Sequence, residues 1–383
     1  MNQLSNALAG ATLALVTLWT LPSGAANLNF KSIYSFGDSL SDPGNFFTVS
    51  EKLTGNGFPP SPFFNGRFSN GKVWGEYLAQ ELDIEQKTFA TLPPNSQLSK
   101  KGGVNFAFGG ATTGTKNLGG QPFWGLEQQV DAFVDLLDDR QANSKALYTL
   151  WAGSNDYLDL LSSSPSPSQI DRQPFETVNN LSESITELAN AGARNILVFN
   201  QPNLSKTPLG ASSEQTATVL DLLSSTHNAL LEVEIARLQQ SLPKTNLILF
   251  DVDALLNEIV SAPGEFGLTN VTTSCNNSNL YQNPPYIDPN VCSNPDSYLF
   301  WDSVHPTTVG HQAIADSVLA TLQSAFKPHQ QETLSAFAPQ LTAKSPATFR
   351  SNPVSVPEPS AVSAIGLVAL GFLARSARRN STR

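Results

Sequence analysis

Ser39 and His305 are a hydroxyl and an imidazole whose sequence neighbours suit nucleophilic catalysis. Ser39 lies in Gly-Asp-Ser-Leu-Ser, directly after an apolar run, and a serine nucleophile needs a general base. Among the four histidines, His305 stands three residues after a carboxylate, Asp302. That spacing lets Asp302 hold the imidazole in one tautomer while the other ring nitrogen faces a hydroxyl. Taken alone, the pair is equally typical of a surface helix start, and Ser39 of a helix N-cap.

Cleaving an ester also requires N–H donors for the oxyanion that forms, and two further blocks offer them. Gly110, in Asn-Phe-Ala-Phe-Gly-Gly-Ala-Thr, presents a backbone N–H without a side chain beside it. Asn155, in Gly-Ser-Asn-Asp, presents a side-chain amide, and the backbone N–H of Ser39 is the third candidate donor. Each of these residues is common in turns, so the prediction depends on all four blocks occurring together.

These residues must be positioned by the strands that precede them. Runs of β-branched and aromatic residues alternate with segments of helical periodicity, which predicts a parallel sheet covered by helices on both faces. In such a sheet, active sites lie beyond the carboxyl ends of the strands, and Ser39, Gly110 and Asn155 each follow a predicted strand. The predicted strands are 29–36, 104–108, 146–151, 195–199 and 246–252, and the predicted helices are 71–82, 126–137, 175–191, 214–242 and 306–326.

In this order, the four blocks resemble those of the GDSL, or SGNH, hydrolase family, and the resemblance covers residues 31–326. Residues 65–71 (Asn-Gly-Arg-Phe-Ser-Asn-Gly) are similar to a stretch typical of the plant-type and lipase-like branch of that family. The resemblance implies an α/β fold, a flavodoxin-like three-layer α/β/α sandwich with a central parallel five-stranded sheet. It also implies a serine esterase or lipase in which Ser39 is the nucleophile, His305 the general base and then acid, and Asp302 the residue that orients His305. Ser39, Gly110 and Asn155 would form the oxyanion hole.

The charge distribution argues against phosphate-containing partners. The chain carries a net charge of −10, but residues 327–383 hold seven Lys or Arg and two acidic residues, so the remainder carries −15. A surface of this sign repels nucleic acid and anionic membranes. Residues 66–72 fit a phosphate-loop pattern only in part, because Val73 replaces the magnesium-binding hydroxyl residue and no predicted strand precedes them. Without a C-x-x-C pair or a calcium-loop pattern, neither a metal nor a cofactor is expected.

Cys275 and Cys292 are the only cysteines, and they bracket a segment rich in Asn, Pro and Ser. In an exported protein they can form one disulfide. Closing a loop of about 17 residues stabilises a fold by roughly 3 kcal/mol in the chain-entropy model. We therefore predict a structural disulfide without chemistry of its own.

Both ends of the chain have the composition of targeting segments. Residues 1–26 contain an apolar run of secretory length followed by small residues, which predicts a signal peptide, although no Lys or Arg precedes the run. A buried N-terminal helix is the alternative. Residues 27–326 are then the hydrolase domain, and residues 327–356, rich in Pro, Ser, Thr, Gln and Ala, a disordered linker.

The last segment, residues 357–383, combines Pro-Glu-Pro-Ser, an apolar stretch and an arginine-rich end. The apolar stretch, residues 361–374, is short for a bilayer span, but the arginines beyond it suit an end left in the cytoplasm, so a short transmembrane segment is expected here. The segment resembles a PEP-CTERM sorting signal. That resemblance implies a bacterium with an outer membrane, sorting by an exosortase-type enzyme, and delivery to the cell envelope, surface or extracellular matrix. A permanent C-terminal anchor is the alternative.

These features predict an exported serine-dependent hydrolase that cleaves acyl esters, of lipids or small molecules, through an acyl-serine intermediate. Aromatic residues near the blocks could line an acyl pocket, although core packing is equally compatible with each of them: Phe46, Phe47, Phe58, Phe63, Phe64, Phe68, Phe123 and Trp124. Two alternatives stay open, a carbohydrate O-acetyl esterase of the surface matrix and a surface binding protein without catalysis. The complete set of Ser39, His305 and Asp302 argues against the latter.

Overall fold

The predicted alternation of strands and helices forms one all-parallel sheet with helices on both faces. The computed structural model describes residues 28–94, 96–98, 101–282 and 285–327. The strands of the sheet are β1 (Ser32–Gly37), β2 (Gln86–Thr88), β3 (Gly102–Asn105), β4 (Leu147–Trp151), β5 (Asn195–Phe199) and β6 (Asn246–Phe250). Their order across the sheet is β2-β3-β1-β4-β5-β6, and every neighbouring pair is parallel. The predicted α/β fold class is confirmed.

The predicted number of five strands is wrong, because a sixth strand, β2, extends one edge of the sheet. This strand has three polar residues, Gln-Lys-Thr, and pairs with β3 alone. It has no run of apolar or aromatic residues, which is the signal by which strands are read from a sequence. The other five strands lie in the order β3-β1-β4-β5-β6, which is the flavodoxin-like order 2-1-3-4-5.

The helices within the described residues are α1 (Asn45–Thr54), α2 (Trp74–Glu81), α3 (Leu126–Asp135), α4 (Ser154–Ser162), α5 (Pro167–Ala191), α6 (Glu214–Ser241), α7 (Val252–Ser261) and α8 (Thr308–Ala325). The sequence analysis did not predict α1, α4 and α7, which have ten, nine and ten residues. The prediction began α5 just after Pro174, which the structure places inside that helix.

Two apolar clusters fill the space between the sheet and its helices. Along β1, Tyr34 and Phe36 belong to one cluster and Ile33 to the other, as the alternation of side chains along a strand requires. Helices α3, α5 and α6 cover the first face, and α2, α7 and α8 cover the second. The result is the three-layer α/β/α sandwich.

A small second sheet precedes the last helix. Its two strands, β7 (Asn270–Ser274) and β8 (Tyr298–Phe300), run parallel to each other. The chain between them is closed at its ends by the pair of cysteines.

Residues 275–292 are named the disulfide loop here, because Cys275 and Cys292 are joined by a disulfide bond. The N–H of Cys275 donates to the carbonyl oxygen of Phe300 over 3.0 Å, and the N–H of Asn276 donates to that of Trp301 over 2.7 Å. The disulfide loop is therefore anchored to the segment that leads directly into the predicted Asp–His pair.

The predicted signal peptide, the linker beyond Lys327 and the predicted sorting signal lie outside the described residues. Among the residues that are described, no helix combines the length and apolarity needed to cross a membrane. The short apolar stretch that predicted a span, residues 361–374, is not among them.

Candidate active site

Ser39 lies just beyond the end of β1, in a turn that requires a glycine. A Cβ on Gly37 would stand 2.3 Å from the carbonyl oxygen of Trp151 on the neighbouring strand, so no larger residue fits. The side-chain amide of Gln129, on α3, donates to the Gly37 carbonyl oxygen and accepts from the Gly37 N–H, both over 2.8 Å. These contacts hold the buried Ser39 at the carboxyl edge of the sheet.

Ser39, His305 and Asp302 form one chain of hydrogen bonds. The Ser39 hydroxyl lies 2.8 Å from Nε2 of His305, whose Nδ1 lies 2.9 and 2.8 Å from the two oxygens of Asp302. A carboxylate only accepts hydrogen bonds, so the ring proton is on Nδ1, and Nε2 accepts from the hydroxyl. The N–H groups of Val304 and His305 also donate to Asp302 Oδ1, over 2.9 and 2.8 Å. The three-residue spacing is thus a tight turn that points the carboxylate at the ring.

The other two residues predicted to donate N–H groups line the cavities at this serine, Asn155 in one cavity and Gly110 in the other. Within the described residues, the backbone N–H groups of Ser39 and Gly110 donate to no protein acceptor. Gly110 has a φ of +76°, and a Cβ there would meet Asn117 Oδ1 at 2.9 Å, so the position favours glycine. Asn155, in the first turn of α4, donates one N–H of its amide to the Ala111 carbonyl oxygen over 3.0 Å. The second N–H of that amide is available to an oxyanion.

A buried pair that the sequence did not predict, Asp156 and Thr113, joins the start of α4, which carries Asn155, to the loop that carries Gly110. The N–H and the hydroxyl of Thr113 donate to the Asp156 carboxylate over 2.9 and 2.7 Å. Burial raises the pKa of Asp156 to about 6, although the bonds from Thr113 favour the ionised form. Because these residues follow Asn155 and Gly110 closely in the chain, the pair fixes the distance between the two donors. The acidic residue in Gly-Ser-Asn-Asp was the signal that could have revealed it.

Asp42, for which the sequence analysis predicted no role, connects the first block to the second. Its Oδ1 accepts from the N–H groups of Gly44 and Asn45 over 2.7 and 2.5 Å. Its Oδ2 accepts from those of Phe46 and Gly109 over 3.0 and 2.8 Å. Burial raises the pKa of this carboxyl to about 6 against the effect of the four N–H groups. Asp42 thereby holds the start of α1 beside Gly109, the residue before Gly110.

The stretch 65–71 is hydrogen-bonded to the chain just after His305. The Ser69 hydroxyl donates to the carbonyl oxygen of Pro306 over 2.9 Å. The side-chain oxygen of Asn70 accepts from the N–H of Thr308 over 2.8 Å. The stretch therefore fixes the chain immediately after His305, and it forms turns rather than the strand that a phosphate loop requires.

Two cavities meet at the serine and the histidine. The first, about 70 Å³, is named the aliphatic cavity and is lined mainly by Leu40, Leu158, Leu204, Val252, Leu255, Leu256, Ile259, Leu299, Val304 and Ile314. The second, about 260 Å³, is named the aromatic cleft and is lined by Phe46, Phe58, Phe68, Gly110, Leu118 and Leu280, among others. Ser39, Tyr281 and His305 line both. Three of the eight aromatic residues considered for an acyl pocket thus lie in the cleft.

Asp38, next to the serine, is a buried carboxyl that lines the aliphatic cavity. Its Oδ1 accepts from the N–H of Leu40 over 3.0 Å, and burial raises its pKa to about 7. Below that pH, Asp38 is uncharged and places no negative charge beside the position where an oxyanion would form.

Two other histidines in the described chain, His227 and His311, are buried structural residues. The Tyr157 hydroxyl lies 2.6 Å from Nδ1 of His227, and the N–H of Trp74 donates to Nδ1 of His311 over 3.3 Å. Burial lowers the pKa of each imidazole to about 3. Neither ring is in contact with Ser39, whose hydroxyl meets the ring of His305 instead. No group of three or more potential metal ligands occurs among the described residues.

Comparisons with known proteins agree with this architecture. A family model described as GDSL-like Lipase/Acylhydrolase matches residues 33–318. The thermolabile hemolysin of Vibrio parahaemolyticus is 27% identical over 315 residues, which span 79% of this chain and 66% of that protein, just under two thirds. The phosphatidylcholine-sterol acyltransferase of Aeromonas hydrophila is 27% identical over 359 residues, 82% of this chain and 96% of that protein. Among solved structures, the lipase/acylhydrolase from Enterococcus faecalis is similar over 79% of this chain and 100% of that one, with 13% identity and a TM-score of 0.36.

Proposed function

This chain belongs to the GDSL-like lipase/acylhydrolase family, and on that premise we propose that it hydrolyses carboxylic esters of aliphatic acyl groups through an acyl-serine intermediate. One observation carries the proposal. The hydrogen-bond chain from Ser39 through His305 to Asp302 opens onto a cavity lined by aliphatic side chains. A nucleophile, its base and a binding site for a hydrocarbon chain therefore lie together.

In the first half of the reaction, Oγ of Ser39 attacks the ester carbonyl carbon while Nε2 of His305 takes the hydroxyl proton. The carbonyl electron pair moves onto oxygen, and the resulting oxyanion accepts hydrogen bonds from the N–H groups of Ser39, Gly110 and Asn155. Asp302 stabilises the imidazolium that forms. When the ester C–O bond breaks, His305 returns the proton to the departing alcohol, and the acyl group stays on the serine.

In the second half, water replaces the alcohol and the same groups act again. His305 removes a proton from the water as its oxygen attacks the acyl carbon, and the oxyanion forms once more in the same place. Collapse breaks the bond to Ser39, which recovers a proton from His305, and a carboxylic acid leaves. General-base catalysis contributes about 10² to 10⁴ in rate, and one oxyanion donor about 10² to 10³.

The acyl chain is assigned to the aliphatic cavity and the alcohol to the aromatic cleft. The cavity is the smaller of the two, about 70 Å³ against about 260 Å³, and α7 and α8 contribute aliphatic side chains to its wall. An unbranched hydrocarbon gains free energy on entering such a site, about 0.8 kcal/mol for each buried methylene. The aromatic cleft, which has the larger volume, suits alcohols of varied shape.

The test is a chain-length series of p-nitrophenyl esters, from acetyl to palmitoyl, measured beside an acetylated polysaccharide. We expect activity that rises beyond acetyl and disappears in Ser39→Ala while the thermal unfolding midpoint is retained. Activity confined to acetyl groups would contradict the acyl preference and favour the carbohydrate O-acetyl esterase. Absence of hydrolysis on every ester would favour the binding protein.

A matched pair of variants tests which cavity holds the acyl chain. Leu256→Phe fills the aliphatic cavity, and Leu118→Phe fills the aromatic cleft. We expect the former to shift the preferred acyl length downward and the latter to leave it unchanged while raising KM for bulky alcohols. The reverse pattern would exchange the two assignments.

We also propose that the enzyme is exported and delivered to the envelope, surface or extracellular matrix of a bacterium with an outer membrane. The support is the composition of residues 1–26 and 357–383, together with a disulfide bond, which persists in oxidising compartments. Residues 27–326 would then be the hydrolase domain, residues 327–356 a linker, and an exosortase-type enzyme the sorting partner. Mass spectrometry of the protein recovered from cells tests this, because a chain that begins at Met1 and still ends at Arg383 would contradict it.

A further inference from the structure

Tyr281, in the disulfide loop, touches the active site at the amide of Asn155. Its hydroxyl donates to Asn155 Oδ1 over 3.2 Å, while the Asn155 amide nitrogen donates to the Ala111 carbonyl oxygen over 3.0 Å. The opposite orientation of the amide would set its oxygen against the Ala111 carbonyl oxygen, two acceptors facing each other. Both ends of the amide are therefore held, and one N–H is left to point elsewhere.

The hydroxyl of Tyr281 stays a donor under all conditions in which a serine hydrolase works. Burial raises its pKa well above 10, and the nearby carboxyls of Asp38 and Asp302 act in the same direction. The hydroxyl proton is therefore always available to Asn155 Oδ1.

The ring of Tyr281 has a defined place as well. It lies nearly parallel to the His305 ring, with 19° between the planes and 6.5 Å between the centroids. Together with Ser39 and His305, it lines both the aliphatic cavity and the aromatic cleft. The ring therefore lies where the two cavities meet, and its hydroxyl contacts the first turn of α4, which carries Asn155.

The disulfide loop is built to hold that ring. The N–H of Tyr281 donates to Asn279 Oδ1 over 3.1 Å. Asn279 is itself paired through its backbone with Tyr286, over 2.9 and 3.0 Å. The Asn276 amide donates to the carbonyl oxygen of Asp288 over 2.7 Å and so joins the two arms of the loop.

We propose that Tyr281 is a positioning residue for the oxyanion hole, a role that rests on the proposed function above. Its hydroxyl fixes the Asn155 amide so that the free N–H points at the oxyanion. Without the hydroxyl the amide is held at one end only, and it spends part of its time turned away. The loss should be smaller than that caused by removing the amide itself, which is about 10² to 10³ in kcat.

The test is a double-mutant cycle of Tyr281→Phe and Asn155→Ala, read as kcat and KM on a soluble p-nitrophenyl ester. Phenylalanine keeps the ring between the cavities, so we expect kcat to fall about tenfold, KM to stay within about twofold, and the acyl-length profile to keep its shape. Asn155→Ala should lower kcat by about 10² to 10³. The double variant should be no slower than Asn155→Ala, because the hydroxyl acts through the amide.

The control is Tyr286→Phe, which removes a hydroxyl from an exposed tyrosine of the same loop and should retain wild-type kinetics. Wild-type kcat in Tyr281→Phe, or losses that multiply in the double variant, would overturn the proposal while leaving the proposed function intact. A wild-type protein that hydrolyses no ester would overturn both.

Discussion

Replacing Asp302 by asparagine tests the proposed mechanism at its most constrained point. Asp302 Oδ1 accepts from His305 Nδ1 and from the N–H groups of Val304 and His305, whereas Oδ2 has Nδ1 as its partner at 2.8 Å. Asparagine keeps Oδ1 and therefore the turn, but it places an NH₂ group where Oδ2 faced the ring. A donor there favours the tautomer with Nδ1 unprotonated, which puts the proton on Nε2 against the Ser39 hydroxyl. His305 then cannot accept the proton of Ser39.

We expect kcat/KM of Asp302→Asn to fall by about 10³ to 10⁴, which corresponds to about 4 to 5.5 kcal/mol of transition-state stabilisation. The assay is hydrolysis of a p-nitrophenyl ester at pH 7 to 8, with thermal unfolding measured in parallel. Asp296→Asn, an exposed residue before the same turn, is the matched control and should behave as wild type. A folded Asp302→Asn enzyme within tenfold of wild-type kcat/KM would refute the role given to the carboxylate.

Three further changes address the glycine, the disulfide loop and a buried histidine. Gly110→Ala keeps the backbone N–H but should displace it, because φ is +76° and the new Cβ would meet Asn117 Oδ1 at 2.9 Å. We expect kcat to fall by at least about 10² with a reduced unfolding midpoint, and unchanged kcat would contradict the need for glycine at this position. Replacing Cys275 and Cys292 by serine opens a loop with a sequence separation of 17 and should lower the free energy of unfolding, measured in urea, by about 3 kcal/mol. We also expect a lower kcat, because Tyr281 loses its support. Burial lowers the pKa of His227 from 6.5 to about 3, so between these values the unfolded chain alone takes up a proton and stability falls as the pH falls. His227→Gln should therefore gain up to about 1.4 kcal/mol per pH unit relative to wild type below pH 6, and an unfolding difference that is constant from pH 7.5 to 4.5 would contradict this.

The residues that the sequence placed well are those whose geometry is set locally. Asp302 and His305 are three residues apart, and one turn with two backbone hydrogen bonds brings them together. Ser39, Gly110 and Asn155 each follow a strand, and neighbouring parallel strands end at the same edge of the sheet. The position of each residue after a strand of a parallel sheet was enough to expect these residues at one edge of the sheet.

The contacts that hold the site in place join residues far apart in the chain, and no local pattern marks them. Thr113 and Asp156 are 43 positions apart, and Tyr281 and Asn155 are 126 positions apart. Tyr281 belongs to a loop without periodicity, where composition indicates only a closed turn-rich segment. The edge strand β2 was not predicted for a related reason. Its three polar residues form a strand only because they pair with β3.

The segment that carries His305 and the disulfide loop are joined to each other by hydrogen bonds, and both contact the site around Ser39. Phe300 and Trp301 accept the hydrogen bonds that anchor the disulfide loop, and the chain then turns through Asp302 to His305. The hydrogen bond between His305 and Ser39 spans 266 positions. One late segment of the chain therefore carries His305, Asp302 and Tyr281, whereas the first half of the chain carries Ser39 and the N–H donors. We therefore expect a change in the disulfide loop to disturb both the Asn155 amide and the turn that carries His305. Loss of the disulfide should reduce catalysis although every residue that exchanges a proton with the ester is still present.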